Sequence, residues 1–231
     1  MRSLLAFLSL SALLLAPCSA LAAPAKVHTV SLGAAKRVPF LAADVAKEDK
    51  DDEAGTLKIR ALLVDGRTKE WTTGETHDVT ERSFVVRRVL HVNDTLPGEK
   101  ALRWVWQPGP WLLVDRTSGR VTALHLPDFD ASVSEVSWYR DYAAYCGVHS
   151  TARAENLVAN VWQIGGRRSA LQKTLGKWPQ EQRVRPVCAT PEWQREPMRV
   201  TLQPTGGAKM SFDVLGTSAA LVEDGDNSDD Q

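Results

Sequence analysis

Four runs decide how this chain folds: VSEVSW (133–138), YAAYCGV (142–148), LVANVWQI (157–164) and RSALQKTL (168–175). Each is short, rich in β-branched or aromatic residues, and bounded by turn chemistry such as Gly165-Gly166. That is the composition of strands joined as hairpins. Four antiparallel strands in roughly 40–45 residues is also the size of one β-propeller blade. A second unit of this kind can be written from RVTL (199–202), Gly206-Gly207 and KMSFDVL (209–215). An N-terminal strand pair, VHTVSL (27–32) and KRVPFL (36–41) on either side of Gly33, could close the last blade by joining the two chain ends.

The stretch between these units continues the pattern. LKIRALLV (57–64) runs into Asp65-Gly66, a strong hairpin signal. SFVVRRVLHV (83–92) is dense in valine. LRWVW (102–106) is followed by the turn QPGP (107–110), then by WLLVD (111–115), a Thr117–Gly119 turn and VTALHL (121–126). Apart from the N-terminal segment, only residues 42–46 have helical composition. The expectation is therefore an all-β protein with a small β-propeller-like fold of antiparallel hairpins, about four blades in all. The alternative is a β-sandwich built from the same hairpins, because short strands at regular spacing support either. There is no WD or Kelch signature.

The chain opens with Met1-Arg2-Ser3 and an uncharged run from Leu4 to Ala16, and Ala20-Leu21-Ala22 fits a small-residue cleavage site. This reads as a signal peptide over residues 1–22, too short to span a bilayer. Cys18 follows Pro17 rather than a small residue, so it is expected to belong to the discarded peptide, with a lipid anchor as the alternative. A single β-rich domain is expected over 23–222. Within it, 43–55 reads as a solvated acidic loop, and 223–231 as a disordered acidic tail. The expected location is the periplasm or the exterior, with no integral membrane span after cleavage. Cys146 and Cys188 remain as an even pair in an oxidising compartment and are expected to form a disulfide.

Charge narrows the partners. The sequence holds 28 basic and 28 acidic residues. It therefore has no electrostatic footprint for nucleic acid or an anionic membrane. No GxSxG elbow, HExxH pair, Walker loop or Rossmann glycine fingerprint occurs. The five histidines, His28, His77, His91, His125 and His149, are scattered singly, and no metal or cofactor is expected. The tail sequence from Asp224 to Asp229 resembles the opening of a calcium loop. It lacks the glycine at the sixth position and the glutamate at the twelfth.

The positive cue is aromatic. Eight tryptophans are present. Trp104, Trp106 and Trp111 flank the Pro108-Gly109-Pro110 turn, and Trp104 and Trp106 share a strand face by the two-residue period. Trp138 opens a second cluster with Tyr139, Tyr142 and Tyr145, and shares a face with Arg140 if the strand continues. Most tryptophans are expected to fill the core. The quartet Trp138, Arg140, Asp141 and Tyr142 is the candidate ligand-binding site. The doublets Arg87-Arg88 and Arg167-Arg168 read as solvated strand edges.

The chain from Ala23 onward, and above all the run from Trp138 to Gly147 (WYRDYAAYCG), resembles a family of uncharacterised secreted bacterial proteins. The resemblance implies export and a single domain, and brings no site with it. The leading functional expectation is a non-enzymatic interaction module with an aromatic-lined surface. Its partner would be another envelope protein or a saccharide or peptide ligand. The alternatives are an envelope-directed hydrolase with its site at a propeller channel mouth, and a structural partner that pairs through an exposed strand edge.

Overall fold

The computed structural model describes residues 27–40, 56–178 and 187–222. The expected signal peptide over 1–22, the expected acidic loop over 43–55 and the expected tail over 223–231 lie outside the described residues.

Fourteen strands and no helix make up the described chain. Six of them form the first sheet: β1 (Val30–Pro39), β2 (Thr56–Val64), β3 (Arg67–Thr80), β4 (Ser83–Asn93), β5 (Trp104–Asp115) and β6 (Val121–Leu124). They pair in chain order, each antiparallel to the last. The second sheet is β7 (Ser137–Tyr139), β8 (Tyr142–Ser150), β9 (Glu155–Gln163) and β10 (Leu171–Trp178). The third is β11 (Glu192–Gln194), β12 (Arg199–Leu202), β13 (Met210–Leu215) and β14 (Ser218–Leu221). No described helix is long and apolar enough to cross a membrane.

The all-β antiparallel reading holds. Four strands lie between residues 133 and 178, as expected, and β7 to β10 are a four-stranded meander; beyond them the chain forms four strands where two were read. The four-blade division does not appear. The strands fall into sheets of six, four and four, and no closed ring of blades is formed among the described residues. The N-terminal strand does not close the last sheet. Residues 30–39 are one strand rather than a hairpin, and that strand pairs with β2. Gly33 sits at an irregularity in the β1–β2 register between Leu32 and Ala35, where an extra residue bends the strand without reversing it.

The second sheet is the middle layer. Along β8 and β9 the residues facing one way are Tyr142, Ala144, Cys146, Leu157, Ala159 and Val161. These pack on Val200, Leu202, Phe212 and Val214 of the third sheet. The residues facing the other way, Ala143, Tyr145 and Trp162, pack under Trp111 and Leu124 of the first sheet and Leu126 and Phe129 of the following loop. Burial on both faces explains why these two strands read as nearly continuous apolar runs, with the buried Asn160 as the break in β9, whereas a strand with one wet face would alternate. Cys146 and Cys188 join the second sheet to the start of the third-sheet segment in a disulfide, with Cα atoms 6.3 Å apart.

The first sheet has a core of its own, formed by Leu62, Phe84, Val86, Leu112 and Val114. Strand β3 is polar and threonine-rich, yet it lies inside the sheet, between β2 and β4. Gly74 in β3 has φ near 79°, and a Cβ there would collide with the Arg60 side chain. The Arg60 stem crosses it, and the guanidinium donates to the carbonyls of Gly33 at 2.8 Å and Leu32 at 3.3 Å. One side chain thereby ties β1, β2 and β3 together. At the far end of the sheet Phe40 forms an isolated parallel bridge to Trp106 of β5.

Candidate functional site

The quartet expected from sequence does not converge. Strands β7 and β8 are joined by the two-residue turn Arg140-Asp141, so Tyr139 faces Tyr142 and Trp138 faces Ala143 across the pair. Cross-strand partners share a face, and neighbours along a strand do not. Trp138 and Tyr142 therefore point to opposite sides of the sheet. Trp138 stacks on His77 with ring centroids 6.1 Å apart and meets Trp111 edge-on at 5.2 Å, in the layer under the first sheet. Tyr142 is buried on the third-sheet side, where its hydroxyl donates to the Gly216 carbonyl at 3.0 Å. Burial raises the pKa of that phenol, and Asp141 adds to the effect.

Arg140 does not continue the strand. It takes a positive φ of 54° in the turn and is exposed, with its guanidinium 5.4 Å from the Tyr139 ring centre and its carbonyl accepting from His77 Nε2 at 2.8 Å. Asp141 accepts from Gln163 Nε2 at 2.7 Å. Each member of the quartet thus has a partner of its own, and Trp138 and Tyr142 lie on opposite faces of the sheet.

The aromatic cluster around β5 forms a continuous row. Trp106 is directly opposite His91 in the β4–β5 register, and Trp104 is opposite Asn93. The His91 ring lies between the two indoles, 4.5 Å from Trp106 in a stacked geometry and 5.2 Å from Trp104 in a tilted one. Trp106 meets Trp71 of β3 edge-on at 6.0 Å, and the Lys36 ammonium sits 3.8 Å over the Trp71 ring. Trp71 and Trp106 also cover Val38, Ile59 and Val89, so their inner surfaces are core. Trp104 differs: it is 53% exposed, and Leu96 and Leu102 in the preceding loop are exposed as well. The shared face of Trp104 and Trp106 was legible in the two-residue period. The intervening histidine comes from another strand and was not.

A cleft of about 650 Å³ opens between the first and second sheets. Arg87, Pro108 and Trp111 line it, together with Leu124, the loop from His125 to Ala131, and Ser150, Glu155 and Trp178. A smaller cleft of about 390 Å³ lies on the other side of Arg87, Pro108 and Trp111, and includes Lys58, Glu75 and Glu135. Arg87 and Trp111 are cross-strand partners in β4 and β5, next to the irregularity that starts after Arg87. The reading of Arg87-Arg88 as a solvated edge is corrected here. β4 is an interior strand, Arg88 pairs with Glu70 at 2.9 Å, and Arg87 is half-buried.

The cleft loop is fixed by close backbone contact. The Asp128 carbonyl accepts from Val148 N at 2.8 Å, and Phe129 bridges to Gly147. A Cβ on Gly147 would collide with the Asp128 carbonyl. The Asp128 carboxylate lies 3.1 Å from His149 Nδ1 and accepts from Gln172 Nε2 at 2.7 Å. Tyr145 donates to the Pro127 carbonyl at 2.6 Å, and burial pushes its phenol strongly up. A carboxylate bound to an imidazole is the orienting half of an acid–base site. No hydroxyl or thiol is bonded to the other ring nitrogen of His149 among the described residues. The sulfur nearest in sequence, that of Cys146, is held in the disulfide. No group of three or more metal-ligating side chains occurs among the described residues.

No family model, curated protein or solved structure matches the chain.

Proposed function

We propose that this protein is an exported, non-catalytic recognition module that holds a saccharide chain on the row Trp104, His91 and Trp106. The observation that carries the reading is the exposure of Trp104 at the open end of a pre-assembled stack. The face of an aromatic ring carries negative charge density, which suits the weakly positive ring hydrogens of a sugar. Trp106 already packs on the β-sheet core and His91 stacks on it, so little side-chain freedom is lost when a ligand arrives. Trp104 and His91 are exposed and Trp106 half-buried, and the His91 ring nitrogens and the Lys36 ammonium offer polar groups there. Export rests on the N-terminal sequence, and the Cys146–Cys188 disulfide is consistent with an oxidising compartment.

The test is calorimetric titration with neutral β-linked hexasaccharides of glucose and of N-acetylglucosamine. Binding that weakens about tenfold or more in Trp104→Ala, as expected for truncation of a dominant contact, supports the reading. Absence of binding at millimolar saccharide, or equal binding by the variant, overturns it.

A second reading, an envelope-directed hydrolase, draws on the His149–Asp128 pair at the cleft. It requires turnover of envelope polymer by the purified protein and loss of that turnover in His149→Ala.

A further inference from the structure

Among the half-buried arginines in and beside the first sheet, Arg87 has the weakest protein partner. Arg88 pairs with Glu70 at 2.9 Å, Arg116 with Asp78 at 2.6 Å, and Arg60 is bound to two carbonyls. Arg87 has no carboxylate within 4 Å among the described residues, and its one hydrogen bond is a long one, 3.4 Å, to the Gly109 carbonyl. Its guanidinium is nevertheless half-buried, and it lines both clefts. Burial draws its pKa below the ordinary arginine value, with Glu135 acting in the opposite direction. It stays charged at neutral pH, because the arginine range lies far above it.

A half-buried guanidinium with a single long hydrogen bond to the protein presents its other donors to the clefts it lines. Planar, two-point recognition of an oxyanion is the chemistry that such a group suits best. The surroundings then discriminate among anions. Asp128, Asp130 and Glu155 line the larger cleft, and Glu75 and Glu135 the smaller one. That much negative charge disfavours a phosphate dianion more than a singly charged carboxylate. The indole of Trp111, directly across from Arg87 in the β4–β5 pairing, supplies an apolar wall for the rest of the ligand.

We infer that the cleft at Arg87 and Trp111 is a binding site for a small carboxylate-bearing ligand, with its carboxylate on the Arg87 guanidinium and its apolar part against Trp111. The site uses none of the residues of the Trp104 row, and so stands or falls independently of the saccharide reading.

The probes are the dipeptide Ala-Ala as the free acid, its C-terminal amide, and inorganic phosphate, each titrated into the oxidised protein and followed by amide chemical shifts. The free acid is expected to bind, with shifts centred on Arg87, Gly109 and Trp111. Its affinity should exceed that of the amide and of phosphate by at least tenfold. Arg87→Gln is expected to lose that preference. A thermal melt separates a binding role from a structural one. A charge without a partner can be replaced by an uncharged side chain at little or no cost, so Arg87→Gln should melt within a few degrees of the parent. The inference is overturned if the free acid does not bind at 10 mM, if acid and amide bind equally, if phosphate is preferred, or if Arg87→Gln keeps the preference. Trp104→Ala should leave dipeptide binding unchanged; its loss in a folded Trp104→Ala protein would also count against the assignment.

Discussion

Single residues set the outcome at two places in this molecule. Gly147 lies where the loop carrying Asp128 presses on β8, and it is the absence of a Cβ that allows the contact. Gly147→Ala should push the loop off the strand and break the Asp128 to Val148 hydrogen bond. A loss of about 1–3 kcal/mol is expected, in the range for overpacking a filled site, read as a lowered denaturant midpoint. The second place is the Arg140-Asp141 turn. The sequence showed an aromatic and charged cluster, and that composition was legible. Its dispersal was not, because it depends on where the strand stops. A turn of two residues puts Trp138 and Tyr142 on opposite faces, and one more strand residue would have changed which side chains share a face. Tyr142 then becomes an interlayer bond to Gly216 rather than a ligand contact. Tyr142→Phe should cost about 1 kcal/mol, the net worth of one hydrogen bond, and leave both proposed ligands bound.

At the scale of elements, strands with a full apolar register were readable and the polar ones were not. β8 and β9 announced themselves as apolar runs, interrupted in β9 by the buried Asn160. β3 did not, since threonine, glutamate and lysine dominate it, and its place inside the first sheet comes from its two neighbours. That omission is why Arg87 looked like a surface residue. Short β7 leaves most of the β8 edge without a strand partner, and the chain answers this with a side chain. Ser134, itself buried, accepts from Cys146 N at 2.9 Å and donates to Cys146 O at 3.0 Å. Ser134→Ala would strand both backbone groups at the centre of the molecule. The expected cost is about 1–3 kcal/mol, measurable as faster amide exchange at Cys146. Acid sensitivity also belongs to this scale. In the β12–β13 pair Arg199 is opposite Asp213 and donates to it at 2.7 Å, which holds the Asp213 carboxyl below its ordinary value. The turn amides of Ser118 and Thr117 do the same for Asp115 after β5. A carboxyl depressed in the folded state adds stability that is present above its unfolded pKa and lost as pH falls through the folded one. Melting temperature should therefore drop below about pH 4, and Asp115→Asn should make that decline shallower.

For the whole molecule, the question is how three meandering sheets hold together when most of their hydrogen bonds run between neighbours in sequence. Hairpin pairing was legible because it is local. The stacking of sheets was not, because it depends on which faces of distant strands meet, and alternation along a strand does not name the partner. The middle sheet supplies the answer, since it has an apolar residue on both faces at nearly every position of β8 and β9. The disulfide fixes one of its two contacts. With the cysteines 42 positions apart in sequence, closing the loop is worth about 4 kcal/mol in the chain-entropy model. The first sheet keeps its own core around Leu62, Phe84 and Val114, which contains no residue of the other two sheets. Reduction of Cys146–Cys188 should therefore act unevenly. Hydrogen exchange should quicken most in β8, β12 and β13, and least in β2, β4 and β5. A uniform loss of protection would mean that the three sheets unfold as one unit and that the bridge stabilises all of them equally.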